Sequence, residues 1–210
     1  KDLSIDVLKE ITTTARHLKG PNSNRLRIDM HMHTRDSFDC LSDPVDLLKA
    51  AKRKGIGRIA LTDHNRLGVA LEMAKEFPEE IIPGEEVKTR EGVDLIGLYL
   101  SEEIPKGTGL KETCQIIKDQ GGISYLPHPY ARGKGGSGRY ADEMGRIVDV
   151  VEVFNSRLHP IKRNILAEEL ADEYSKLRGA GSDAHTVSEV GRAYVELENH
   201  PNNAKSLMLA

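Results

Sequence analysis

The sequence predicts an α/β domain built on a largely parallel sheet. Strand-like and helix-like patterns alternate along the chain at intervals of about 20 to 40 residues, the sign of repeated β–α units. The 210 residues, 38 % of them hydrophobic and 30 % charged, suffice to bury one sizeable core. No repeat of fixed period is present. These patterns alone leave a closed barrel and an open sheet as alternatives.

Each element has a local cause. Leu3, Val7, Leu8, Ile11, Ala15 and Leu18 recur every three or four residues, as in an amphipathic helix, which Gly20 and Pro21 close. With the PNSN linker this gives a leading segment over 1–24, expected to pack on the domain's own surface or base, and a domain over 25–210. Residues 26–33, LRIDMHMH, alternate at period two as a strand. Ser42 as N-cap and Pro44 in the first turn open a helix running to Lys54, ahead of Gly55. Strands then follow over 56–62, 81–88, 93–100, 123–126, 148–154 and 179–182. Helices are expected over 69–77, 108–120 and 161–177, and the run 204–210 is helix-like. The chain opens on Lys1 and stops inside that run, so native sequence is expected to continue past the ends. The one biased stretch, Arg132 to Arg139, reads RGKGGSGR and forms a loop.

Composition excludes several classes. Thirty Lys and Arg against 33 Asp and Glu leave a net charge of −3, too little positive charge for extended nucleic-acid binding. No window approaches the roughly 18 apolar residues of a membrane span, and the first residues do not read as a signal peptide. A cytoplasmic protein without membrane contact is the expectation. Cys40 and Cys114 form neither a disulfide framework nor a metal knuckle, and both read as packing residues.

Histidines carry the chemistry. His31, His33, His64, His128 and His185 all fall at or just after the C-terminal ends of predicted strands, the edge where parallel α/β sheets and barrels bind ligands. Acids share that edge: Glu86 in PGEEV, Asp183 in GSDAHT, and Asp39 in the loop after His33. Residues two apart on a strand face the same way, so His31 projects with His33, and Asp183 with His185 if the strand continues through them. Imidazoles and carboxylates gathered at one edge need bound cations to offset their burial. A thiolate-free mixed set suits zinc, manganese or iron, and eight candidate ligands exceed one tetrahedral ion, so two or three divalent ions are expected.

The motifs IDMHMHT, LTDHN, PGEEV, PHP and GSDAHT, in this order over residues 26–198, resemble the polymerase and histidinol phosphatase (PHP) metal-dependent phosphoesterases. The resemblance implies a distorted (β/α)7 TIM-like barrel with a di- or trinuclear centre at the C-terminal strand edge, and so a closed barrel over 25–210. By the same resemblance His31 and His33 are the opening metal pair, Glu86 the bridging carboxylate, Asp183 the acid completing the first ion, and His128 a ligand of the second. A third ion would take His64, His185 and an acid from TRDSFDC, with Asp39 preferred to Asp36. Where many relatives carry a histidine after the bridging glutamate, this chain has Asp94.

The implied activity is hydrolysis of phosphate esters, with a small phosphorylated metabolite or a nucleotide as partner. Alternatives are a catalytically silent metal-stabilised module, an exonuclease on nucleic-acid ends, and hydrolysis of another group such as an amide. Phosphate needs donors beyond the metals. Arg132, Lys134 and Arg139 in the glycine-rich loop, with Asn155 and Arg157 in FNSRLHP, are the candidates, arginine because its planar fork makes paired hydrogen bonds. His159 is the expected proton donor to the leaving group and Arg157 its catalytic companion. Asp63 points away from His64's side and is expected to orient neighbours as an acceptor.

Overall fold

The computed structural model describes residues 24–133 and 135–210. The expected leading helix and its linker thus lie outside the described residues apart from Asn24, and so does Lys134. Strand β1 (Arg25–Asp29) leads to α1 (Pro44–Arg53), β2 (Arg58–His64), α2 (Gly68–Glu76), β3 (Ile81–Lys88), β4 (Asp94–Leu98), α3 (Leu110–Asp119) and β5 (Ile123–Leu126). A 3-10 turn (Gly138–Tyr140) then precedes α4 (Ala141–Ile147), β6 (Val150–Asn155), α5 (Lys162–Glu173), β7 (Leu177–Gly181), β8 (Val195–Glu198) and α6 (Ala204–Leu207).

The strands follow one another across the sheet from β7 to β1, with β8 beyond β1. β1 changes partner along its length. Residues 25–28 pair antiparallel with β8. Past Asp29 the chain turns to the other edge, where Met30 N bonds Ala180 O at 3.2 Å, Asp183 N bonds His31 O at 2.8 Å, and His33 N bonds Ala184 O at 2.9 Å. Seven strands therefore make a nearly closed barrel, with β8 outside the ring. The Asp29 carboxylate staples the seam, accepting from Ser182 N at 2.8 Å and Gly191 N at 2.9 Å. Burial pushes its pKa up to about 6, against the pull of those hydrogen bonds.

Apolar alternation splits each strand between two layers. Ile59, Leu61, Ile81 and Leu95 face the helices, whereas Ala60, Ile82 and Ile96 fill the barrel with Ile28, Tyr125 and Val150. β2 and β3 are accordingly buried on both faces. The base of the barrel is closed by the C-terminal segment, where Leu207 joins the inner cluster and Asn202 bonds the Ile81 carbonyl and the Tyr99 hydroxyl.

The sheet is less parallel than expected. β4 runs antiparallel to both β3 and β5, because residues 89–93 make a tight connection with no crossover helix. The reversal places Asp94 opposite Lys88, at the barrel's C-terminal edge. Three local expectations change. Asp43, not Ser42, caps α1, accepting from Val45 N at 2.9 Å, because the Ser42 hydroxyl donates to the His185 carbonyl. The long helix ends at Glu173 rather than 177, since Ser175 turns to φ +50° and Leu177 joins Val150 in the sheet. β8 and α4 went unread, the first because it is a half-exposed edge strand and the second because it is a short helix.

β7 approaches the barrel interior so closely that glycine is required. A Cβ on Gly181 would lie 2.3 Å from the His31 Cβ and 2.7 Å from Glu152 Oε1. Gly181→Ala is expected to lower unfolding free energy in denaturant by about 1–3 kcal/mol through overpacking; a value within about 0.5 kcal/mol of wild type would contradict this packing.

Candidate metal centre

Six of the eight strands contribute to one cluster. His31 and His33 follow β1, His64 ends β2, Glu86 lies in β3, Asp94 opens β4, and His128 follows β5. Asp183 and His185 follow β7. His31, His33 and Glu86 are fully buried.

Neighbouring acceptors fix the imidazole faces. Ser37 Oγ donates to Asp63 at 3.0 Å, so it must accept from His64 N at 2.9 Å and from His33 Nδ1 at 3.1 Å. His31 Nδ1 donates to Glu152 at 3.1 Å, and His185 Nδ1 to the Asp183 carbonyl at 2.9 Å. In all three rings Nδ1 is thus the donor to the protein, which leaves Nε2 to offer a lone pair to an ion. Asp63 has the orienting role expected of it, because Thr34 N and Thr34 Oγ1 also bond it, both at 2.6 Å.

These lone pairs converge. His31 Nε2 lies 3.2 Å from His33 Nε2, and Glu86 Oε2 lies 3.5 Å from the first and 3.4 Å from the second. Asp183 Oδ1 lies 3.6 Å and 3.3 Å from the same nitrogens. A tetrahedron with metal–ligand bonds of about 2.0–2.1 Å has edges of about 3.3–3.4 Å, and these five separations are close to five of its six edges. Glu86 continues into the neighbouring sets. Its Oε1 bonds His128 Nε2 at 3.1 Å, and its Oε2 lies 3.0 Å from His64 Nδ1. Asp39 Oδ2 stands 3.6 Å from His64 Nε2 and 3.4 Å from His185 Nε2. Groups that could hold an ion are thus His31, His33 and Glu86; His31, His128 and Asp183; Glu86, Asp94 and His128; and His33, His64 and His185.

Charge supports the same use. Glu86 Oε2 is buried and accepts no well-formed hydrogen bond. Burial would raise Glu86 and Asp183, yet facing imidazoles, His31 foremost, hold Glu86 well below and Asp183 below the usual carboxylate range. Burial would lower His31 and His128, but Asp183, Glu152 and Glu86 hold His31 well above its ordinary value, and chiefly Glu86 raises His128 to about 9. The cluster is built for positive charge, which protons supply when metal does not.

A pocket of about 270 Å³ opens above the cluster, lined by Asp39, His64, Asn155, Arg157, Leu158 and His185 among others. Of the expected phosphate donors, Arg157 lines it and spends one N–H on the Asp183 carbonyl at 3.3 Å. Asn155 also lines it, but its amide is committed: it donates to Glu152 at 2.9 Å and Asp183 at 3.3 Å and accepts from Arg157 N. Arg132 is exposed and not among the lining residues. The Arg139 guanidinium lies over its own neighbour, Tyr140, 4.9 Å from the ring centroid. His159 faces solvent outside the lining, because Leu158 takes the inward position. Asp36 lies apart from these donor groups, whereas Asp39 joins them. Asp94 is buried and ion-paired to Lys88.

The sequence reading passed over Glu152. This fully buried carboxylate accepts from His31 Nδ1, His128 N, Asn155 Nδ2 and Tyr125 Oη, at 2.7–3.1 Å. A lone acid inside the apolar strand VVEVF was the available signal.

The family model for the PHP domain matches residues 29–132, and the model for the PHP-associated C-terminal region matches residues 162–210. An uncharacterized protein of Methanocaldococcus jannaschii is 39 % identical over 177 residues, covering 81 % of this chain and 70 % of the relative. A second from that organism is 39 % identical over 144 residues, covering 62 % and 82 %. Among solved structures, PsfC of Pseudomonas syringae has a TM-score of 0.69 at 18 % identity, with 88 % of each chain covered. A candidate metal-dependent phosphoesterase of Bifidobacterium adolescentis has a TM-score of 0.62 at 15 % identity, with 80 % and 92 % covered. An amidohydrolase of Chromobacterium violaceum, solved with sulfate and no metal, has a TM-score of 0.66 at 17 % identity, with 79 % and 90 % covered.

Glu152→Gln is expected to weaken zinc or manganese binding about 10–100-fold in chelator competition, because the amide cannot accept from all four donors. Unchanged affinity would show that Glu152 does not orient the cluster.

Proposed function

The chain belongs to the PHP family of metal-dependent hydrolases, and from that premise we propose that it hydrolyses phosphate monoesters of small molecules. The observation that carries this reading is the set of donor groups joined through Glu86 beneath a pocket whose rim holds Arg157. His31, His33, Glu86 and Asp183 would hold one ion; Glu86 and His128, with Asp94, a second; Asp39, His64 and His185 a third. Zinc, manganese and iron suit this imidazole–carboxylate mixture. When bound, such ions supply Lewis-acid charge to phosphoryl oxygens and acidify water.

The chain's own residues do the rest. Arg157 keeps donors beyond the one given to Asp183, enough to grip phosphoryl oxygens. Asn155 positions rather than binds: it aligns Asp183 with Glu152 and fixes the Arg157 backbone. Glu152 in turn holds the rings of His31 and the backbone of His128. His159 and Arg139 carry no step here, since one faces solvent and the other is occupied by Tyr140.

A small substrate fits better than a nucleic-acid end. The net charge of −3 and the pocket's size give no electrostatic track for a strand. No helix among the described residues is long and apolar enough to cross a membrane.

The test compares inorganic phosphate release from phosphate monoesters with shortening of end-labelled oligonucleotides, using protein loaded with manganese, zinc or iron. Phosphate release is expected, and Arg157→Ala should lower kcat/KM about 10–100-fold, the loss of a charge-assisted hydrogen bond. Turnover independent of Arg157 would favour another hydrolysable group, and no turnover with any metal would favour a silent module.

A further inference from the structure

Resting on the phosphate-monoester reading, we propose that Phe38, flanked by Leu41, is a stacking platform selecting substrates whose alcohol portion carries a planar aromatic ring. Phe38 is 86 % exposed and Leu41 95 %, both in the segment that joins β1 to α1. This segment is held firmly. Arg35 N bonds Ser42 O at 2.9 Å and Ser37 N bonds Thr34 O at 3.1 Å. Cys40 Sγ lies 3.2 Å from the carbonyls of both His33 and His185. Two large apolar side chains are therefore presented to water by a backbone with no freedom to hide them, an arrangement that favours a ligand.

The platform is aimed by its neighbours. One face of the Phe38 ring stacks on His64, at 5.2 Å between centroids and 27° between planes, and the ring's exposure leaves the other face open. His64 also packs against His33, at 4.5 Å between centroids. Asp39, the next residue, lines the pocket together with His64. The apolar surface thus begins where the polar pocket ends. A monoester whose phosphoryl group meets the Glu86 cluster and Arg157 can lay a flat ring on Phe38 without leaving the site. Aromatic rings stack on such a face irrespective of their hydrogen-bonding edges, so the class is defined by planarity.

The test uses metal-loaded protein and calorimetric binding of two probes, adenosine monophosphate and glycerol phosphate, to wild type, Phe38→Ala and Phe38→Leu. Turnover and bound metal are measured in parallel. Both variants should bind adenosine monophosphate about 5- to 150-fold more weakly, with glycerol phosphate binding and metal content unchanged. That split would uphold the platform even if no phosphate were released, in which case only the hydrolytic reading falls. Equal weakening of both probes with loss of metal would make Phe38 a clamp for His64 and overturn the proposal. So would unchanged binding of both, binding of neither by wild type, or Phe38-dependent self-association in sedimentation, which would assign the patch to a second copy.

Discussion

A single buried carboxylate organises this molecule. Glu86 is fully enclosed, touches His31, His33, His64 and His128, and has an oxygen that no well-formed hydrogen bond satisfies. An isolated carboxylate in that position would be prohibitively unfavourable, and the surrounding imidazoles answer it only while they carry protons or share a cation. The barrel's construction follows from gathering those partners. Seven strand positions far apart in sequence must end at one edge, and the tight β3–β4 connection reverses a strand so that Asp94 arrives there as well.

Around that carboxylate lies a shell of groups that do not face the pocket but decide what does. Asp63 holds Thr34 and Ser37, Ser37 holds His33 and the backbone of His64, and Glu152 holds His31 and His128. Asp29 ties the β1–β7 seam on which His31, His33 and Asp183 are carried. Each acid is buried and hydrogen-bonded through both oxygens, so the lone pairs the shell aims are preorganised. Arg157 and Phe38 stand outside it, the first at the pocket and the second against His64.

Much of this was legible from residue order because strand ends are strongly marked. Strands 81–88 and 123–126 agree with the structure at both ends, and the histidines that follow strand ends converge as their positions implied. Asp39 and Asp36 could not be separated by spacing, since both lie in one loop; only the turn through Ser37 and Cys40 brings Asp39 to His64 and His185. Glu152 escaped notice because a side chain that serves other side chains leaves no spacing pattern of its own. Asn155 was placed correctly but given the wrong partner, as its amide is used inside the protein. The reversed β4 did leave a sign, since strands 81–88 and 93–100 have too few residues between them for the crossover a parallel pair needs.

The most direct test of Glu86 as a shared carboxylate is anomalous diffraction from crystals grown with zinc or manganese. The account predicts more than one anomalous peak, with peaks next to each of the two Glu86 oxygens and bounded by the named histidines. A single peak remote from Glu86, or ordered metal confined to surface acids, would contradict it.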